Sequence, residues 1–231
     1  VTKQAKTASG GARGPRGAYA KTAEVRQKIL DACVEAFGAG GFHGATMREI
    51  AKLAGISQTG LLHHFDSKAE LLIEVLAAHE RETSRIVREA DDLDALQAQL
   101  QVTHANEARP GLIQLHSMIA GEATADDHPA HELYRARYDS LRLHLTRIFA
   151  ELRGRGCLKV DTKPEILANL FVAVMDGLQI QWLYAPGAVD ISTGLEAFIA
   201  GVVDDEARES PHGRDGSSAS PNAKYESEFD I

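Results

Sequence analysis

Apolar residues recur at helical spacing along most of this 231-residue chain. Val25, Ile29, Ala32, Cys33, Ala36 and Phe37 stand three or four residues apart or adjacent, so they share one face of a helix over residues 22–40. The glycines of "GAGGF" then stop it. Two capping boxes follow: Thr46 with Glu49 starts a short helix, and Ser67 with Glu70 starts a long one running to about residue 90. In each, the hydroxyl accepts from a free first-turn amide and the carboxylate reaches back. Ser57 caps a further helix between them, "QTGLLHHF", after a sharp turn at Gly55, where glycine tolerates positive φ.

The same period continues downstream. "DDLDALQAQLQVTHANEA" supports another helix, and residues 112–125 form a mostly apolar one after Pro110-Gly111. Pro129 opens a long helix with Leu133, Arg137, Leu141, Leu145, Ile148 and Leu152 along one side. Thr162 with Glu165 makes a third capping box, with Pro164 in the first turn. The helix that follows, "PEILANLFVAVMDGLQIQWLYA", is apolar around most of its circumference and is expected to be buried from more than one side. A last helix runs from about Ile191 to Ala207. No stretch alternates for long enough to predict a strand, so the expected fold is all-α.

Composition adds boundaries. Residues 1–20, with Lys3, Lys6, Arg13 and Arg16 among Gly, Ala and Ser, lack an apolar period and read as a flexible basic arm; residues 208–231 read as a disordered tail. No apolar run approaches the ~20 residues of a membrane span, and no apolar leader opens the chain. Cys33 and Cys157 match no metal or redox spacing and read as reduced thiols, so a cytoplasmic protein is expected, with no cofactor and no resident metal. The net charge of −8 is uneven. Residues 1–70 carry ten Lys/Arg against six Asp/Glu, a net of +4, which leaves −12 for the remainder. A basic front on an acidic body points towards a polyanion.

Residues 46–65 sharpen that direction. "TMREIAKLA", the turn "GIS" and "QTGLLHHF" make a helix-turn-helix, with Ile50, Ala51, Ala54, Ile56 and Leu61 facing inward. Ser57, Gln58, Thr59 and His63 are left outward. Gln pairs with adenine N6/N7, and Ser or Thr serves several bases or phosphates. Gly60 weakens the helix by about 1 kcal/mol against Ala and permits close approach to DNA. Lys21 and Arg26 are phosphate candidates, and Arg13 or Arg16 of "RGPRG" is a candidate for a minor groove.

The stretch "ATMREIAKLAGISQTGLLHHFDSKAELL", with the helix before it, resembles the DNA-binding domain of TetR-family transcriptional regulators. The likeness covers roughly residues 22–75. It departs at Leu62 and His64, where that family commonly carries tyrosine. The resemblance implies an N-terminal three-helix DNA-binding domain (residues 21–66) followed by a larger helical ligand-binding and dimerisation domain (residues 67–207). It implies a homodimer formed through the last two long helices, and a repressor that binds a palindromic operator in double-stranded DNA and is released by a small molecule. Carried over by position, Thr46, Arg48, Ser57, Gln58, Thr59, His63 and Lys68 are expected at the DNA.

In the larger domain, polar groups on apolar faces mark a candidate effector pocket. His116 shares a face with Leu112, Ile119 and Ala120, Arg137 shares one with Leu133 and Leu141, and Gln179 follows Met175 on the most apolar helix. His116, Arg137, Tyr138, Met175 and Gln179 are therefore expected to line one site. Two other readings compete. One is a DNA-binding dimer with no small ligand. The other is an all-helical, metal-dependent enzyme using Asp126, Asp127, His128 and His131. No nucleophile–base pair or phosphate loop supports the enzyme.

Overall fold

A computed structural model describes residues 15–88 and 95–204, with side chains described over 23–83 and 96–204. Nine α-helices and no strand are present among the described residues. The sole sheet-like feature described is an isolated bridge between Leu158 and Val203.

The first helix, α1 (Pro15–Gly44), starts inside the segment read as an arm and extends past residue 40. Its regular turns break at Gly41, where φ is 65° and ψ −173°. This is the break that "GAGGF" predicts, and only glycine adopts that conformation without strain. The short helices α2 (Met47–Leu53) and α3 (Gln58–Leu62) follow, then α4 (Lys68–Arg88). Between α2 and α3 the chain reverses through Gly55 at φ 70°. The Gly55 N–H bonds to Lys52 O and the Ile56 N–H to Ala51 O, so the last carbonyls of α2 are satisfied as α3 departs.

The remaining helices are α5 (Ala95–Glu107), α6 (Pro110–Glu122), α7 (His131–Gly154), α8 (Pro164–Tyr184) and α9 (Ile191–Val202). Two expected starts are displaced. The cap of α8 is Lys163, not Thr162, and it makes no side-chain cap bond. The residue before a proline is driven to extended backbone, and Lys163 before Pro164 sits at φ −59°, ψ 139°, so the helix cannot begin earlier. Likewise α7 starts at His131 behind Ala130, leaving Pro129 in the preceding turn. The last helix ends at Val202 rather than Ala207, because Val203 is already extended and bridged to Leu158. The segments 1–14 and 205–231, which hold most of the expected arm and the expected tail, lie outside the described residues.

Two buried clusters organise the molecule. The first joins Ile29, Cys33 and Phe37 of α1, Ile50 and Ala51 of α2, Leu61 of α3 and Leu71, Leu72, Val75 and Leu76 of α4. It continues into Leu112, Leu115 and Ile119 of α6 and Tyr134 of α7. The second joins Leu145, Phe149 and Leu152 of α7, Leu167, Phe171 and Met175 of α8, and Leu195 and Ile199 of α9. The helix α8 corrects a further expectation. At 21 residues it is long and apolar enough, by length and composition, to cross a membrane. One of its faces nevertheless packs into this second cluster, and Asp176 interrupts it.

Candidate DNA-reading head and candidate effector cavity

In the head, Leu61 is fully buried and anchors α3, while Ser57, Gln58, Thr59, Leu62, His63 and His64 are exposed. Ser57 Oγ accepts from the Gly60 N–H at 2.9 Å, capping α3. A Cβ at position 60 would stand 3.2 Å from that oxygen, so glycine there also accommodates the cap. The helix ends at Leu62, sooner than expected. His63 is its C-cap, and its N–H bonds to Thr59 O, while the His64 N–H bonds to Leu61 O. Thr46 is the cap of α2, accepting from the Glu49 N–H at 3.2 Å, and Arg48 is exposed in the first turn. Thr46, Arg48, Ser57, Gln58, Thr59 and His63 thus all stand at the surface of the head.

Two residues expected to meet DNA have partners within the protein. The Arg26 guanidinium pairs with Glu74 at 2.8 Å and lies over the Phe65 ring, tying α1 to α4. The Lys68 ammonium donates to Phe42 O at 2.6 Å and Ala45 O at 2.9 Å, and sits 4.4 Å from the centre of the Phe42 ring. Two of its three protons are therefore committed to holding the end of α1 against the start of α4. Lys21 lies within α1, but its side chain is outside the described residues.

Phe42 is gripped from its other side as well. Its N–H donates to Glu122 Oε2, the last residue of α6, at 2.7 Å. A Cβ on Gly41 would come within 2.1 Å of Glu122 Oε1, so the carboxylate lies directly against the glycine. Behind it, His128 Nδ1 accepts from the Ala130 N–H, which places the proton on Nε2, 3.6 Å from Glu122 Oε2. His131 Nδ1 is 2.9 Å from Ala123 O. These histidines tie the turn between α6 and α7 to its neighbours, and no three described metal-ligating residues gather there.

All five residues expected at an effector site line one cavity of about 260 Å³ between α4, α5, α6, α7 and α8: His116, Arg137, Tyr138, Met175 and Gln179. The structure adds His79, Asn106, Ser117, Tyr134 and Asp176 to its polar lining, with Leu112, Ile113, Ala120 and Leu141 among the apolar part. The sequence reading missed these polar groups, although Asp176 carried the same signal as Gln179, a polar residue on an apolar helix. His116 Nδ1 lies 3.0 Å from Tyr134 Oη, and the His79 and His116 rings are 4.8 Å apart. Burial, reinforced by the charges of Arg137 and Arg109, lowers the pKa of His79 to about 4. Burial and then His79 lower that of His116 to about 3. Both imidazoles are neutral at physiological pH. Tyr138 Oη donates to Asp176 Oδ2 at 2.9 Å, and burial pushes its hydroxyl up to about 12. The Arg137 guanidinium pairs with Glu80.

Comparison with known proteins places both regions in one context. Residues 29–75 match the family described as bacterial regulatory proteins, tetR family. Residues 95–206 match the BetI-type transcriptional repressor C-terminal family. The probable HTH-type transcriptional regulator ArpR of Pseudomonas putida is 27% identical over 185 residues, covering 76% of this chain and 88% of that protein. Among solved structures, a TetR-family transcriptional regulator from Agrobacterium tumefaciens superposes with a TM-score of 0.67 at 18% identity, covering 79% of this chain and 98% of its own. A putative regulator from Saccharomonospora viridis, solved in complex with choline, superposes with a TM-score of 0.64 at 23% identity, covering 78% and 98%. At these identities the structures speak for the fold.

Proposed function

Because the chain belongs to the TetR family of transcriptional regulators, we propose that it is a ligand-responsive repressor that grips a palindromic operator as a homodimer and lets go when a small molecule fills the cavity. The family binds DNA and often forms dimers that answer to small molecules. The observation that carries the reading here is the exposed polar face of α3, held outward by buried Leu61. On this reading Gln58, Thr59 and His63 meet base edges, while Thr46, Arg48, Ser57 and the remaining proton of Lys68 meet phosphates. The chain works on DNA in the cytoplasm and catalyses nothing.

Dimerisation is supported by α8. Ile166, Leu170, Ile180 and Tyr184 are exposed, and at their spacing they fall on one side of the helix, together with Ala173 and Gly177. Beside them α9 presents Ala197, Ala200 and Gly201. Two such faces fit a helical interface between copies.

Coupling follows from α6. Its residues line the cavity, and its last residue holds the Phe42 N–H, whose carbonyl is held by Lys68 of α4. A ligand that shifts α6 displaces the joint on which the head sits. It must bind the DNA-free geometry more tightly, and DNA must then weaken ligand binding by the same factor. The test is selection of bound duplexes from a random pool by the full-length protein. An enriched palindrome with half-sites about 34–36 Å apart, or a multiple of that, is expected. Salt-sensitive binding without enrichment would overturn the reading.

A further inference from the structure

We propose that the cavity takes a small organic cation, whose ammonium group pairs with Asp176. The inference rests on the cavity being an effector site and adds the charge of its occupant. Asp176 is the unbalanced group. Its carboxylate receives one neutral hydrogen bond, from Tyr138, and no described cation lies within ion-pair distance of it. Arg137, the cation nearest in the wall, is already matched by Glu80 and acts on Asp176 only at longer range. A carboxylate drawn out of water without a counter-charge is unfavourable, and burial raises its pKa accordingly. A cationic ligand removes that penalty, whereas an anionic one worsens it.

The rest of the wall agrees. The neutral imidazoles of His79 and His116 add no competing positive charge, and His79 Nδ1 and His116 Nε2 are buried without a hydrogen-bond partner. The Tyr134 and Tyr138 rings stand 6.3 Å apart, and aromatic faces attract cations. A cavity of about 260 Å³ restricts the occupant to a small molecule.

The experiment is calorimetric titration of the full-length protein near neutral pH with four probes. Benzylammonium, benzyl alcohol and benzoate share size and shape and differ in charge, and tetramethylammonium supplies a cation with no N–H. Benzylammonium is expected to bind at least about tenfold more tightly than benzyl alcohol, with benzoate weakest. Asp176→Asn should bring the affinities of benzylammonium and benzyl alcohol to within about twofold of each other, and Asp176→Glu should restore part of the gap. Tetramethylammonium binding as well as benzylammonium would assign recognition to charge and ring faces. Weaker binding would add N–H donation to the free imidazole nitrogens. Either result supports a cation site. Preference for benzyl alcohol or benzoate overturns the cation and leaves the effector cavity standing. Binding of none of the four overturns both.

Discussion

The reading head and the cavity are built from the same side-chain chemistry turned in opposite directions. On α3 one leucine points in and the serine, glutamine, threonine and histidines point out. In the cavity the histidines, tyrosines and Asp176 point in, and apolar residues fill the gaps between them. Solvent sets what each group can do. An exposed Gln58 exchanges partners freely and suits a surface that meets many sequences before it meets one. A buried His116 has a fixed protonation state and a fixed neighbour, which suits a site that selects one molecule. Phe42 stands between the two regions, held by Lys68 of α4 and Glu122 of α6 within an interior they share.

Breaking that joint should have the largest effect. Gly41→Ala places a side chain in a conformation it rarely adopts and drives it into Glu122, so a loss of about 3 kcal/mol is expected in urea unfolding. An unchanged midpoint would show that the joint is not constrained. The cavity should betray itself next, through pH. Its imidazoles titrate lower in the folded protein than in the unfolded chain, so the unfolded chain takes up protons first. Their contribution is complete above about pH 6.5 and is lost as pH falls towards 4. His79→Gln should flatten that decline by on the order of 2 kcal/mol. An identical pH profile for the variant would remove His79 from the account.

The head answers to different handling. Gln58→Ala should reduce discrimination between operator and mismatched duplex by about 1–2 kcal/mol without altering stability, as read by competition binding. Lys68→Ala should weaken all duplexes alike and flatten the salt slope by about 1, and should also lower stability, because two backbone carbonyls lose their donor. A Lys68 variant with unchanged slope would make that residue purely a clamp. The smallest effect belongs to Ser67→Ala, about 1 kcal/mol, for loss of the cap on the Glu70 N–H.

The sequence was most legible where partners are near in the chain. The helical stripes, the turn at Gly55 and the hydroxyl caps at Thr46, Ser57 and Ser67 depend on neighbours within a turn or two, and each was readable. Even so, the Ser67 box closes differently from expectation, for Glu70 reaches the Asp66 N–H rather than the cap residue itself. Thr162 failed because a proline two residues later outranks a hydroxyl in setting the first turn. The long-range pairs were invisible. Nothing near Arg26 announces Glu74, and nothing near Lys68 announces Phe42 O, 26 residues away. The cavity was half legible. A polar residue on an apolar stripe flags an inward-facing group, but which such groups converge is decided by packing.

The first buried cluster has a practical corollary for anyone exchanging parts between relatives. Leu61, Ile50 and Phe37 share an interior with Leu115 and Ile119 of α6, so the head is not a cartridge with a clean seam at residue 66. A chimera joined there would graft foreign side chains onto the underside of α1 and lose the Glu122 grip on Phe42. A donor α6 matched to the incoming α1 would have to travel with it, carrying part of the sensor along with the reader.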